Sequence, residues 1–140
     1  MELNVLELDP KAESAGVWKP LGIGDIEVKL RSPNSADYLD EEDRQFATVR
    51  ELYGNDLPPR RRIEAKAKAI VNAGLVDWKN IVIDGEEVAF DPTRAVELFT
   101  GTRYKQLREA LVVVFQQVDV FLKQSRQDKE GNLRLATGGS

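Results

Sequence analysis

Hydrophobic and polar positions along the chain change period several times, and each change marks an element. Residues 2–8 alternate loosely through Leu3, Val5 or Leu6, and Leu8, which fits a short strand or a loose tail. Residues 11–15 are polar and read as irregular. Ile26-Glu27-Val28-Lys29-Leu30-Arg31 alternates strictly between apolar and charged, the period of a half-buried strand. A second strand, 17–21, precedes it across Gly22-Ile23-Gly24, a loop of hairpin length, so residues 17–31 form a hairpin.

The period then lengthens to that of a helix. Ser32-Pro33-Asn34-Ser35 stops the strand and offers Asn34 or Ser35 as a cap for free backbone N–H groups. Asp40, Glu41, Glu42 and Asp43 follow in the early turns, where the helix dipole favours acids. Leu39, Phe46, Val49 and Leu52 or Tyr53 recur at helical spacing up to Gly54-Asn55, so a helix covers about 35–53. Pro58-Pro59 starts a second helix, with Ile63, Ala67, Ile70 and Val71 as its apolar stripe and Gly74 as its stop. Ala65, Ala69 and Ala73 form a small-residue ridge that lets another helix approach closely.

A connector follows. Ile81-Val82-Ile83 and residues 87–90 flank Asp84-Gly85-Glu86, a turn signal that predicts a small central hairpin. Asp91-Pro92 caps a short helix over 93–99, broken at Thr100-Gly101-Thr102. A last long helix is expected over about 102–126, because Tyr104, Leu107, Leu111, Val114, Val118 and Phe121 follow a 3-4 spacing. Val112, Phe115 and Leu122 widen that stripe beyond what one neighbour needs. The expected fold is therefore α+β and mainly α-helical: an N-terminal β-hairpin and a small central β-hairpin with a bundle of three main helices and one short helix. One domain spans 1–126, and 127–140 reads as a flexible polar tail.

Composition narrows the chemistry. With neither histidine nor cysteine, the chain lacks the usual proton shuttle, a thiol nucleophile and the commonest transition-metal ligands. Its 20 basic and 24 acidic residues give a formal net charge of -4, the opposite of the basic surplus of a general nucleic-acid binder. The first residues lack a signal-peptide pattern, and the longest apolar run, 110–115, is far too short to span a membrane. Asp84, Glu86 and Glu87 gather three carboxylates, and residues 37–43 gather five, but a turn and a helix start account for those compositions. No cofactor, metal or catalytic group is expected.

What remains is surface. Arg60, Arg61 and Arg62 occupy a helix's first turn, where a plain solvated face is the favoured reading; their place against the dipole points to an acid elsewhere in the fold or on a partner as the other. Trp18 lies in a candidate edge strand, where it can be held out for a partner, while Trp78 has the character of a core anchor. The Ala65 and Ala69 ridge and the Tyr104, Leu107, Leu111 and Phe115 stripe can serve self-association, a client, or simply the core.

The order of these pieces is itself informative. Gly16-Val17-Trp18, the alternating strand, Pro33-Asn34 before a helix, Leu75-Val76-Asp77-Trp78, Asp84-Gly85-Glu86 and Phe90-Asp91-Pro92-Thr93-Arg94-Ala95 precede the long closing helix. This layout resembles the tail assembly chaperones of long-tailed bacteriophages, over about residues 15–125. In that family a Val-x-x-Trp stretch precedes a Gly-Glu-x-x-x-Tyr/Phe-(Ser/Asp)-x-x-x-Ala stretch. Here these fall at 76–78, one residue tighter than the common form, and at 85–95. The resemblance implies a non-enzymatic protein of the host cell cytoplasm that is not carried in the mature virion. It also implies binding to the tape measure protein, which it keeps soluble, recruitment of tail tube subunits, and self-association as a homo-oligomer. No nucleic acid or membrane is implied as a partner. The alternative is a structural head–tail connector or tail completion protein of the virion.

Overall fold

The computed structural model describes residues 1–123 of the chain. Strands β1 (Val17–Pro20), β2 (Glu27–Leu30) and β3 (Leu75–Lys79) form an antiparallel sheet in that order. Helices α1 (Pro10–Ala15), α2 (Ala36–Tyr53), α3 (Pro59–Ala69), α4 (Pro92–Thr100) and α5 (Lys105–Phe115) surround one face of it, and α3 continues into a π-helical segment, Ile70–Gly74. A separate hairpin pairs β4 (Val82–Ile83) with β5 (Glu86–Glu87). The mainly helical α+β architecture and both hairpins agree with the sequence pattern.

Local chemistry explains the boundaries. The Ser35 hydroxyl accepts from the Tyr38 N–H at the start of α2, and the Asp91 carboxylate accepts from the Arg94 N–H at 3.0 Å at the start of α4. Asp84 and Gly85 both take positive φ, 53° and 81°, as a two-residue turn matched to strand twist requires. Val28 and Leu30 of β2 and Trp78 of β3 point into the core. There Tyr38 and Phe115 meet edge to face, with ring centroids 4.6 Å apart, and Trp78 packs against Phe90 and Phe99.

Four expectations are corrected. Residues 11–15 are helical, not irregular: Pro10 sits at the first position of α1, and the Asp9 carboxylate accepts from the N–H groups of Lys11 and Ala12. Residues 2–8 form neither a strand nor a loose tail. A 3-10 turn, Leu3–Leu6, leads to a bridge between Leu8 and Leu122, and the Asp9 N–H donates to the Phe121 carbonyl at 2.7 Å. The start of the connector is the third strand of the sheet, β3. The closing helix ends at Phe115 instead of continuing to 126, and a 3-10 turn, Asp119–Phe121, follows. Three consecutive β-branched residues, Val112, Val113 and Val114, weaken that last turn, and Lys19 binds the carbonyls freed where it stops. The tail 127–140 lies outside the described residues.

Candidate binding groove

A cleft of about 630 Å³ opens where the β1–β2 loop, the β4–β5 hairpin and the start of α5 converge. Its apolar wall comes from Ile23 and Ile26 of the loop, Ile81 and Ile83 of the hairpin, Leu98 of α4 and Leu107 of α5. Asp84, Arg103 and Lys105 stand among its polar lining. A shallower trough of about 420 Å³ runs on along α5 past Ala110 and Val113, and Ile23 and Gln106 border both. Val82 and Val113 are each 60% exposed at these margins, so the apolar surface continues beyond the cleft.

Each wall is held by local bonds. The loop closes through the Leu21 N–H to the Ile26 carbonyl at 2.9 Å and the Ile26 N–H to the Ile23 carbonyl at 3.2 Å, which leaves both isoleucine side chains at the cleft. Asn80, at φ 68°, donates from Nδ2 to the Asp25 carbonyl at 2.9 Å and ties the central hairpin to that loop. The Trp78 indole Nε1–H donates to the Val88 carbonyl at 2.7 Å, and the Val88 N–H donates to the Ile81 carbonyl at 2.8 Å. Trp78 thus pins the hairpin's base while its ring fills the core beneath.

Lys19 lies beside the trough but points inward, 3% exposed. Its ammonium donates to the carbonyls of Val114 at 3.1 Å and Gln117 at 2.5 Å, and it lies 5.0 Å from the Phe121 ring centroid. Burial pushes its pKa down to about 8. A cation at the negative end of α5 is favourably placed, and its contacts with both carbonyls and the Phe121 ring hold the end of the helix and the turn that follows it.

The residues singled out from the sequence divide sharply. Tyr104 and Leu107 line the cleft. Ala65, Ala69, Trp78, Leu111 and Phe115 are buried and present no surface to a partner in this conformation. Trp18 is on the edge strand, half-buried, on the sheet face away from the core, with Lys79 Nζ 4.0 Å from its ring centroid. Arg60 and Arg61 find their acid within their own helix: both bind Glu64, at 3.3 and 3.0 Å. Desolvation is the largest single influence on Glu64 and raises its pKa, but the hydrogen bonds and charges of Arg61 and Arg60 together outweigh it and hold the carboxyl below the usual range.

The sequence reading missed Ile23, Ile83 and Lys19 as functional or structural positions. Ile23 carried a signal, an isoleucine inside a turn where turn chemistry asks for none, whereas Ile83 is an ordinary strand residue of β4 and carried none. Lys19 also carried one, since it shares the inward parity of Val17 in β1. Among the described residues no cluster of three or more potential ligands could hold a metal ion, and no helix is long and apolar enough to cross a membrane. Compared with known proteins, the chain matches no family model, no curated protein and no solved structure.

Proposed function

We propose that this protein is a non-enzymatic phage tail assembly chaperone whose groove between the two hairpins and α5 receives an apolar helical segment of the tape measure protein. The observation that carries the reading is the apolar surface that runs from Ile83 through Ile23 to Val113 along a concave face of the protein. Helix-in-groove recognition needs such a surface, long enough for anchors one turn apart and with a polar margin to keep the free protein in solution. The motif layout at 76–78 and 85–95 supports the same reading, because Trp78 and the Asp84-Gly85 turn are what hold the hairpin wall in place. In this role the protein acts in the host cytoplasm, keeps the tape measure protein soluble, helps recruit tail tube subunits, and is left behind when the tail is complete.

The test is co-expression with the tape measure gene of the same phage. The chaperone reading expects tape measure protein in the soluble fraction with the unaltered protein. It expects loss of that solubility with Val113→Glu, a change at an exposed groove position that leaves the core intact. Insoluble tape measure protein in the presence of the unaltered chaperone refutes the function. Solubility undiminished by Val113→Glu together with Ile83→Glu refutes the groove as the binding site.

A further inference from the structure

Helix α2 has 18 residues, yet Tyr38 is the only one fully buried. It packs on α3 and the Ile70–Gly74 segment and leaves one flank largely exposed, where Arg61 of α3 lies 5.1 Å from the Tyr53 ring centroid. Leu39, Phe46 and Tyr53 fall seven residues apart on that flank, so they stack in one row along the helix. Leu39 is 45% exposed, Tyr53 is 42% exposed, and Phe46 is half-buried. Asp43 and Arg50 border the row, three residues before and four after Phe46, and among the described residues neither belongs to an ion pair.

We propose that a second copy of this chain docks antiparallel on this flank of α2, about a two-fold axis at Phe46. The row is self-complementary in that arrangement. Leu39 and Tyr53 are equidistant from Phe46, so each meets the other in the second copy while the two Phe46 rings meet at the axis. The same register sets Asp43 of each copy beside Arg50 of the other, which makes two ion pairs by symmetry. A parallel arrangement would instead align Asp37, Asp40, Glu41, Glu42 and Asp43 with their own copies, and like charges repel. The helix is about 27 Å long, so the buried surface is small and the dimer is a weak, reversible one in the micromolar range or above. This face is on α2, whereas the groove is built by α4, α5 and the hairpins, so pairing and client solubility can be lost separately.

Sedimentation velocity on the full chain, from about ten to several hundred micromolar at low salt, tests the proposal. The expected result is a monomer–dimer equilibrium that weakens as salt is raised. Asp43→Arg and Arg50→Asp, each placing like charges at both symmetric contacts, should each weaken it at least about tenfold. The double variant should restore it, because the ion pairs re-form with their charges exchanged. Both positions are exposed, so the helix content seen by circular dichroism should not change. A monomer at every concentration overturns the proposal. So does association that ignores the single changes, or a double variant no tighter than the singles.

Discussion

Gly74 sits where the π-helical segment meets β3, and replacing it with alanine tests how rigid the centre of the core is. A Cβ built there lies 2.7 Å from Cε1 of Phe115 and 3.3 Å from Cδ1 and Cζ. The ring has little room to withdraw, because Phe115 is fully buried and its other side meets Tyr38 at 4.6 Å between centroids. Forcing one extra methyl into such a site costs about 1–3 kcal/mol. Gly74 is not in the left-handed region, so alanine also lowers the entropy of the unfolded chain, a gain of about 0.4–1 kcal/mol. The clash exceeds the gain, and Gly74→Ala should destabilise the protein by about 1–2 kcal/mol. Equilibrium urea unfolding followed by tryptophan fluorescence measures this, with an unchanged slope against denaturant as the check that only stability moved. Phe115→Leu combined with Gly74→Ala should cost less than the sum of the two single changes, since the shorter side chain vacates the contested space. A Gly74→Ala protein as stable as the original, or additive costs in the pair, would refute the argument.

Two further predictions concern the ends of α4 and α5. Asp91→Ala removes the cap of α4 and should cost about 1 kcal/mol in the same unfolding assay, whereas Asp91→Asn should restore most of it. Lys19 titrates near 8 when folded and near its ordinary 10.5 when unfolded, so between those values the unfolded chain binds more protons and stability rises with pH. Lys19→Met should flatten that rise. The comparison is best made between pH 7.5 and 9.5, because Tyr38 acts in the opposite sense at higher pH. Desolvation, and then the hydrogen bond and charge of Glu42, raise the Tyr38 phenol pKa, and the stability it contributes falls above about pH 10. Equal pH slopes for the original and the Lys19→Met protein would exclude the buried ammonium as their source.

The sequence was most readable where structure is decided within a few residues. The strict alternation of β2, the Asp84-Gly85 turn, the Ser35 and Asp91 caps and the seven-residue recurrence in α2 all act through neighbours in the chain. Helix α1 carries the same Asp-Pro start as α4 but is only six residues long, too short for a hydrophobic period to show. Strand β3 hides for a different reason. Its burial does not alternate, because the pairing of β2 with β3 slips between Lys29 and Leu30, so the pattern of a half-exposed strand is broken where it would be sought.

The end of α5 and the groove depend on contacts that no local window holds. Val118 and Phe121 keep a helical spacing, yet the helix ends at Phe115, and a lysine 95 positions from Val114 donates to that carbonyl alongside the Gln117 N–H. Phe121 then reaches the core by turning back, not by staying on a helical face. The Tyr104 to Phe115 stripe is divided by the same arrangement. Leu111 and Phe115 close the core, while Tyr104 and Leu107 border a space completed by Ile23 and Ile83 from two other elements. The stripe is wider than one neighbour requires because its two ends face different surroundings, the core at one and the cleft at the other. The proposed client binding consequently depends on the loop and hairpin isoleucines as much as on α5 itself.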